Sequence, residues 1–308
     1  MPLTPSALSA FVAQHQLPDT YLAFANAHFS PLLTWAQAAK SPQILGINGS
    51  QGSGKSTLAA WLVAALTDQG IPALALSMDD FYLGKAARTL LANRVHPLLG
   101  TRGVPGTHDV ARAIEVLDAL KECKTPIIPR FDKAIDDCVP ASHLEPLHHP
   151  VKIIVLEGWC LGAQPQAEAA LMHPINALER DEDQQGQWRS WVNRQLAQTY
   201  QAWFQRVDRW VMLRAPSFEC VAQWRWQQEQ KLWQKHKLAG MLQQTDHRGG
   251  STTSGLMTRE QVQRFVQYYE RLTTHMLHEM PDRVEHLYQL DDRRNIIHEH
   301  HRSHGALR

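Results

Sequence analysis

Apolar residues along the chain fall into two alternating kinds of run. Short unbroken stretches at Gln43 to Asn48, Ala73 to Ser77, Val151 to Leu156 and Arg209 to Leu213 have strand length and little or no polar face, as strands covered on both sides require. Between them, apolar positions recur every three or four residues. Examples are Leu58, Trp61, Leu62 and Ala65 ahead of the Gly70 and Pro72 stop, and Trp188, Trp191, Val192, Leu196, Trp203, Phe204 and Val207. The same spacing predicts helices over Val110 to Lys121, Ser217 to Leu238 and Thr258 to His278, the last opened by a capping box of Thr258 and Gln261. Pro126 to Phe131 reads as a further strand or extended piece, and Val284 to Leu290 as an edge strand closing the sheet. Strands alternating with helices predict an α/β fold: a parallel sheet with helices on both faces and ligands at the carboxyl ends of its strands.

Around this domain, placed at residues 41–296, lie segments of other character. Residues 1–40 read as a helical extension broken at Pro18 and Pro31. Glu179 to Gln187 is charged and Gln-rich, and is expected to be an exposed linker. Thr245 to Ser254 is expected to be mobile, and residues 297–308, with His298, His300, His301 and His304, to be a frayed tail.

The first strand runs directly into Gly49-Ser50-Gln51-Gly52-Ser53-Gly54-Lys55-Ser56-Thr57, a G-x-x-x-x-G-K-S turn followed by a helical pattern. Glycines let the backbone curl until successive N–H groups share one concavity, and the next helix adds the positive end of its dipole there. Such a nest binds phosphate. The spacing assigns Lys55 to the β- and γ-phosphates and the Ser56 hydroxyl to Mg²⁺, so ATP and Mg²⁺ are the expected ligands.

Composition narrows the partners. With 44% hydrophobic residues the chain has ample material for a buried core, and a formal net charge of +1 provides no field for nucleic acid or an anionic membrane. Cys123, Cys138, Cys160 and Cys220 are widely spaced without a C-x-x-C, which suits reduced thiols in a cytoplasmic enzyme. Seven of ten tryptophans lie between Trp188 and Trp233 at helical spacing, so they are assigned to packing instead of base stacking. The expected partner is a small-molecule substrate, and the expected state a monomer or homodimer.

Parallel strands would bring the polar residues at the ends of the apolar runs to one rim: the turn from Gly49, then Asp79, Arg130 with Asp132, Glu157 and Arg214. Phosphoryl transfer needs a metal, cations for spreading charge and a base at the attacking oxygen. Glu157, after a fully apolar strand, takes the place of the acid that orients the metal shell. Asp79 is the candidate base and a further metal neighbour, and Asp80 a cap or turn former. Tyr82, Arg102, His108, Arg130, Asp132 and Lys133 are candidates for the acceptor, arginine in a bidentate fork. Arg225, on the long helix, is the candidate to close over the transferring group from a lid at about 214–257.

Asp79-Asp80-Phe81-Tyr82 resembles the D-x-F-Y element of the uridine kinase, phosphoribulokinase and pantothenate kinase group, whose first Asp serves as base. A closer resemblance is to the D-glycerate 3-kinases of the plant type and their bacterial and fungal relatives. The likeness rests on Gly49 to Thr57, Ser77 to Tyr82, Arg102-Gly103-x-x-Gly106-Thr107-His108-Asp109, Pro129 to Lys133, Leu156-Glu157-Gly158-Trp159-x-Leu161-Gly162 and Trp224-Arg225. A later stretch, Gly255 to Thr258 running to Tyr268-Tyr269, and Asp291-x-x-Arg294 extend it over roughly residues 40 to 296. The resemblance implies a P-loop NTPase fold with an adenylate-kinase-like five-stranded parallel core, and transfer from ATP to a hydroxyl of D-glycerate. Another alcohol, such as a pantothenate-, nucleoside- or sugar-like acceptor, is the competing reading. A GTPase switch would need N-K-x-D, which is absent, and its D-x-x-G matches, Asp183 to Gly186 and Asp246 to Gly249, lie in polar stretches. A nucleotide-binding regulator without transfer would have no use for Asp79.

Overall fold

A computed structural model describes residues 11–243 and 257–302 of the chain. A helical segment at residues 11–15 (α1) and helix α2 (Tyr21–Ala38) precede β1 (Gln43–Gly49), α3 (Lys55–Asp68) and β2 (Ala73–Ser77). Helices α4 (Lys85–Arg94) and α5 (Val110–Lys121) lead to a hairpin of β3 (Phe131–Asp132) and β4 (Asp137–Cys138), then β5 (Ile153–Gly158). Next come α6 (Ala177–Glu182), α7 (Gln187–Gln195), a π-helical turn (Leu196–Tyr200), α8 (Gln201–Phe204) and β6 (Arg209–Arg214). The chain continues through α9 (Phe218–Gln243), α10 (Arg259–Glu279), β7 (His286–Leu290) and β8 (Ile296–His301).

The sheet has the order β2-β5-β1-β6-β7-β8, the first five strands parallel and β8 antiparallel. Alternation of side chains divides its core in two. Ile44, Ile154 and Leu156 face Val116, Leu117, Phe81, Trp203 and Met276 on one side. Leu45, Ile47, Ile153 and Val155 face Leu58, Trp61, Leu62 and Leu32 on the other. β5 is buried along its whole length, which explains its lack of polar residues before Glu157.

Three expectations give way. Pro31 does not break α2, because Phe29, Leu32, Leu33 and Ala36 bury on the core beside α3 and β7, with Phe29 5.9 Å from Trp61 and 5.1 Å from Tyr288 between ring centroids. That packing outweighs one missing N–H, and the Ser30 hydroxyl adds a bond to the Asn26 carbonyl. Glu179 to Gln187 is no exposed linker. Glu179 is fully buried in a two-pronged pair with Arg271 at 2.7 and 2.6 Å, and buried Asp183 caps α7 while pairing with Arg189 at 2.9 Å. The tail is ordered through His301: β8 pairs along β7, so β7 is an inner strand and β8 takes the edge. Pro126 to Phe131 is the extended alternative of its reading, carrying one isolated bridge, Ile127 to Pro146, before the short hairpin. His304 and Thr245 to Ser254 lie outside the described residues, and among those described no helix is long and apolar enough to cross a membrane.

Candidate active site

The parallel register delivers the rim. Ser77 stands opposite Glu157, Asn48 opposite Gly158, and Gly49 opposite Leu213, so the ends of β2, β5, β1 and β6 lie side by side. Past β1 the backbone turns with Gly52 at φ 81° and Gly54 at φ 94°, the left-handed region that favours glycine, and α3 opens at Lys55 with Ser56 and Thr57. A Cβ on Gly52 would stand 2.7 Å from Cβ of Trp224, whereas one on Gly54 would meet no atom within 4 Å: the loop is backed by α9 at one glycine and open at the other. Among the described residues, the buried Ser50 and Ser53 hydroxyls and the Gln51 side-chain oxygen have no hydrogen-bond partner, the pattern of a nest shaped for an anion. Arg294, at φ 71°, holds this loop from behind. It donates to the Gly52 carbonyl at 2.6 Å and to Gln227 at 2.8 Å, and stacks 4.9 Å from the Trp224 ring.

Beside the loop, the Ser56 hydroxyl donates to Glu157 Oε1 at 2.9 Å, and Lys55 Nζ lies 3.9 Å from Glu157 Oε2. Glu157 Oε2 is buried with no hydrogen-bond partner among the described residues. A hydroxyl and a carboxylate converging at the mouth of a phosphate nest are oxygen donors suited to Mg²⁺, so the residues fit the ion.

At the tip of β2 the chain makes a 3₁₀ turn, Met78–Phe81, capped reciprocally by Ser77 and Asp80. The Ser77 hydroxyl accepts from the Asp79 N–H, and Asp80 Oδ2 accepts from the Ser77 N–H at 3.2 Å. Capping thus occupies Asp80, which also pairs with Arg130 at 2.7 Å, and sets the direction of Asp79. Asp79 accepts from the Tyr82 hydroxyl at 2.8 Å and pairs with Lys133. Burial raises its proton affinity, but the charges of Lys133 and Lys55 and the bonds from Lys133 and Tyr82 outweigh it, leaving the carboxyl below the usual range. Asp80 goes the other way: burial and the Asp79 charge raise it despite Arg130.

The β3–β4 hairpin adds charged groups beside Asp79 and Arg102. Its turn presents Lys133 to Asp79 and Asp136 to Arg102 and Arg88, and the two guanidiniums lie 5.4 and 5.7 Å from the Phe131 ring. Asp132 is exposed and accepts from the Ala134 N–H at 2.8 Å, so it shapes the turn instead of facing an acceptor. His108 is buried with its ring 4.6 Å from Tyr82, and Nδ1 lies 2.7 Å from the Tyr200 hydroxyl. Burial pulls its pKa down to about 4, opposed by the Asp79 charge.

Tyr200 went unmarked in the sequence because one tyrosine on a helical stripe reads as core. Its hydroxyl also accepts from the Gly106 N–H at 2.7 Å, and it closes the π-helical turn, a device common at functional sites. Arg214 ends β6 but turns away to the Leu277 carbonyl and Gln289, bracing α10 and β7. Arg225 pairs with Glu229 at 2.9 Å and lies 5.6 Å from the Phe265 ring; its charge is felt at Tyr269, which in turn feels Asp79 and Arg102. Asp183, the first residue of the one described D-x-x-G match, caps a helix away from the rim, and Asp246 lies outside the described residues.

No protein-family model matches the chain. The chain is 35% identical over 237 residues to the uncharacterized kinase mug58 of Schizosaccharomyces pombe, covering 74% of this chain and 78% of that protein. It is 30% identical over 198 residues to the chloroplastic D-glycerate 3-kinase of Arabidopsis thaliana, 61% of this chain but 41% of the longer relative. Among solved structures, the YGR205w protein superposes with a TM-score of 0.68 at 24% identity, covering 93% of this chain and 98% of that one. D-glycerate 3-kinase from Cryptococcus neoformans superposes at 0.64 and 20% identity, over 96% and 97%. These superpositions establish a shared fold. Fold and relatives together define a P-loop small-molecule kinase, a phosphotransferase with an alcohol group as acceptor. The chain belongs to the same family as the kinase mug58, and it is similar over part of its length to D-glycerate 3-kinase.

Proposed function

We propose that the enzyme transfers the γ-phosphoryl group of ATP to a hydroxyl of D-glycerate. The observation that carries this reading is Asp79: a half-buried carboxylate, its pKa held below the usual range, paired with Lys133 and Tyr82 at the strand tip beside the β5 acid Glu157. In the proposed reaction Asp79 takes the acceptor's hydroxyl proton, the freed oxygen forms a bond to the γ-phosphorus, and the bond to the bridging oxygen breaks to release ADP. Residues of the nest from Gly49 to Thr57 hold the phosphates, and Lys55 carries positive charge to the transferring group. Ser56 and Glu157, with Asp79 nearby, would hold Mg²⁺, which when bound neutralises phosphate charge.

The acceptor's carboxylate has a role in this scheme. Lys133, Arg130 and Arg102 are all paired with protein carboxylates: Asp79, Asp80 and Asp136. A small acid competing for Lys133 unpairs Asp79 as the hydroxyl arrives, which raises the proton affinity of the base when it is needed. His108 presents its buried Nε2, without a partner among the described residues, as a further polar contact for the acceptor. Arg225 would leave Glu229 to close over the transferring group, and the cytoplasm is the compartment this chemistry and the reduced cysteines suit. The competing reading, another alcohol on the same machinery, is separated by coupled ATPase assay of the purified enzyme with D-glycerate, L-glycerate and a panel of uncharged alcohols. Turnover of D-glycerate supports the proposal. Turnover of a neutral alcohol with none for glycerate refutes the acceptor while keeping the class.

A further inference from the structure

Helix α4 is built around an arginine. Arg88 is the one buried residue among its ten, while Leu90 on the same helix is exposed, the reverse of an amphipathic helix laid on a core. The guanidinium distributes its donors over three segments. Nε–H donates to the Leu83 carbonyl at 3.0 Å, one Nη to the Gly100 carbonyl at 3.0 Å, and the other to the Asp136 carbonyl at 2.7 Å, with the Asp136 carboxylate at 3.0 Å. Each segment carries a residue assigned above to the reaction: Leu83 follows Asp79 and Tyr82, Gly100 precedes Arg102, and Asp136 shares its turn with Lys133. Resting on the kinase reading above, we propose that Arg88 is a positioning residue: it holds the β3–β4 hairpin so that Lys133 meets Asp79, and through Lys133 it governs binding of the acceptor.

Three observations converge. The first is that the hairpin is too short to hold itself. Two residues pair with two, and the turn from Lys133 to Ile135 is exposed. Ties to α4 and to the turn before it fix its place: Arg88 at Asp136, the Lys85 N–H to Asp137 Oδ1 at 3.0 Å, and the Cys138 thiol to the Tyr82 carbonyl at 3.3 Å. The second is fit. A planar fork can reach carbonyls in three directions, which an ammonium, with its donors on one nitrogen, cannot. The Phe131 ring, 5.7 Å from the Arg88 guanidinium, also stands edge-on to Tyr82 at 5.3 Å, so one aromatic side chain links the arginine to the tyrosine that donates to Asp79. The third is cost. Burying a cation is expensive even when it is paired, and an apolar side chain would seat α4 as well. Folding alone does not call for arginine here; a rigid junction of three segments does.

Steady-state kinetics of the full-length protein with ATP and D-glycerate test this. Arg88→Lys keeps the charge and loses the fork, so KM for D-glycerate should rise by about tenfold or more while KM for ATP stays within about twofold. Because Arg88 acts through Lys133, adding Lys133→Ala to Arg88→Lys should raise that KM no further than Lys133→Ala does alone. An arginine that only stabilised the fold would lower Tm, leave both KM values unchanged and add its effect to that of Lys133→Ala; unchanged KM or additivity overturns the inference. Asp137→Ala cuts the second tie of the hairpin to α4 from a partly exposed position and should raise the same KM. It decides the question if the lysine variant does not fold, an unchanged KM again being the contrary result. A wild type that turns over another alcohol but not D-glycerate overturns the acceptor reading instead, and the same variants are then compared on that alcohol.

Discussion

Replacing Tyr200 by phenylalanine tests the least conspicuous part of the site. The side chain is fully buried, and its ring packs 5.9 Å from both Trp203 and Phe204, contacts that phenylalanine keeps. Only the hydroxyl is lost. It accepts from the Gly106 N–H and shares a hydrogen bond with His108 Nδ1, both at 2.7 Å. Tyr200→Phe leaves two buried polar groups unpaired at about 1–3 kcal/mol each, roughly 2–6 kcal/mol together. For a chain of this length 1 kcal/mol moves Tm by about 1.5 °C, so the expected loss is about 3–9 °C. Scanning calorimetry reads that loss. Steady-state kinetics should show a raised KM for the acceptor with KM for ATP little changed, because His108 is proposed to contact the acceptor. A Tm within about 1 °C of wild type, or a change in KM for ATP alone, would refute the assignment.

Acid should destabilise the protein before its carboxylates are neutralised. His108 is held neutral by burial with a pKa of about 4, and His286, buried beside His301 and Arg209, with one of about 3. The unfolded chain protonates both near 6.5, so it binds more protons below that pH, and stability falls as pH drops from about 6.5 toward 4. His108 alone accounts for about 3 kcal/mol of that loss by pH 4. A series of melting curves should decline over this window, less steeply for His108→Gln, and a flat profile would contradict the burial argument. Glu157→Gln keeps the volume but removes the charge facing Ser56 and Lys55; the Mg²⁺ concentration for half-maximal activity should rise by roughly tenfold or more. Unchanged Mg²⁺ dependence would remove Glu157 from the metal site.

Much of this arrangement was legible because it is local. Gly49 to Thr57 carries its own geometry, and the apolar runs of β1, β2, β5 and β6 announce a doubly covered sheet whose register brings Glu157 beside Ser77. What stayed hidden depends on partners far along the chain. Glu179 and Asp183 look like linker residues until Arg271 and Arg189 close on them. Pro31 looks like a helix break until the core claims its neighbours on both sides. Asp132 passes for a ligand by its company with Arg130 and Lys133, yet a two-residue strand needs it to shape the turn. Tyr200 and the loop-holding role of Arg294 required the fold itself, since each works through a backbone group about ninety or more positions away.

The claim on which the account turns is that the Asp79 carboxylate deprotonates the acceptor beside an independently formed phosphate nest. The direct measurement is turnover by Asp79→Asn alongside its ATP affinity. The account predicts kcat lower by about 10²- to 10⁴-fold with ATP bound as in wild type. Turnover within a few-fold of wild type would contradict it.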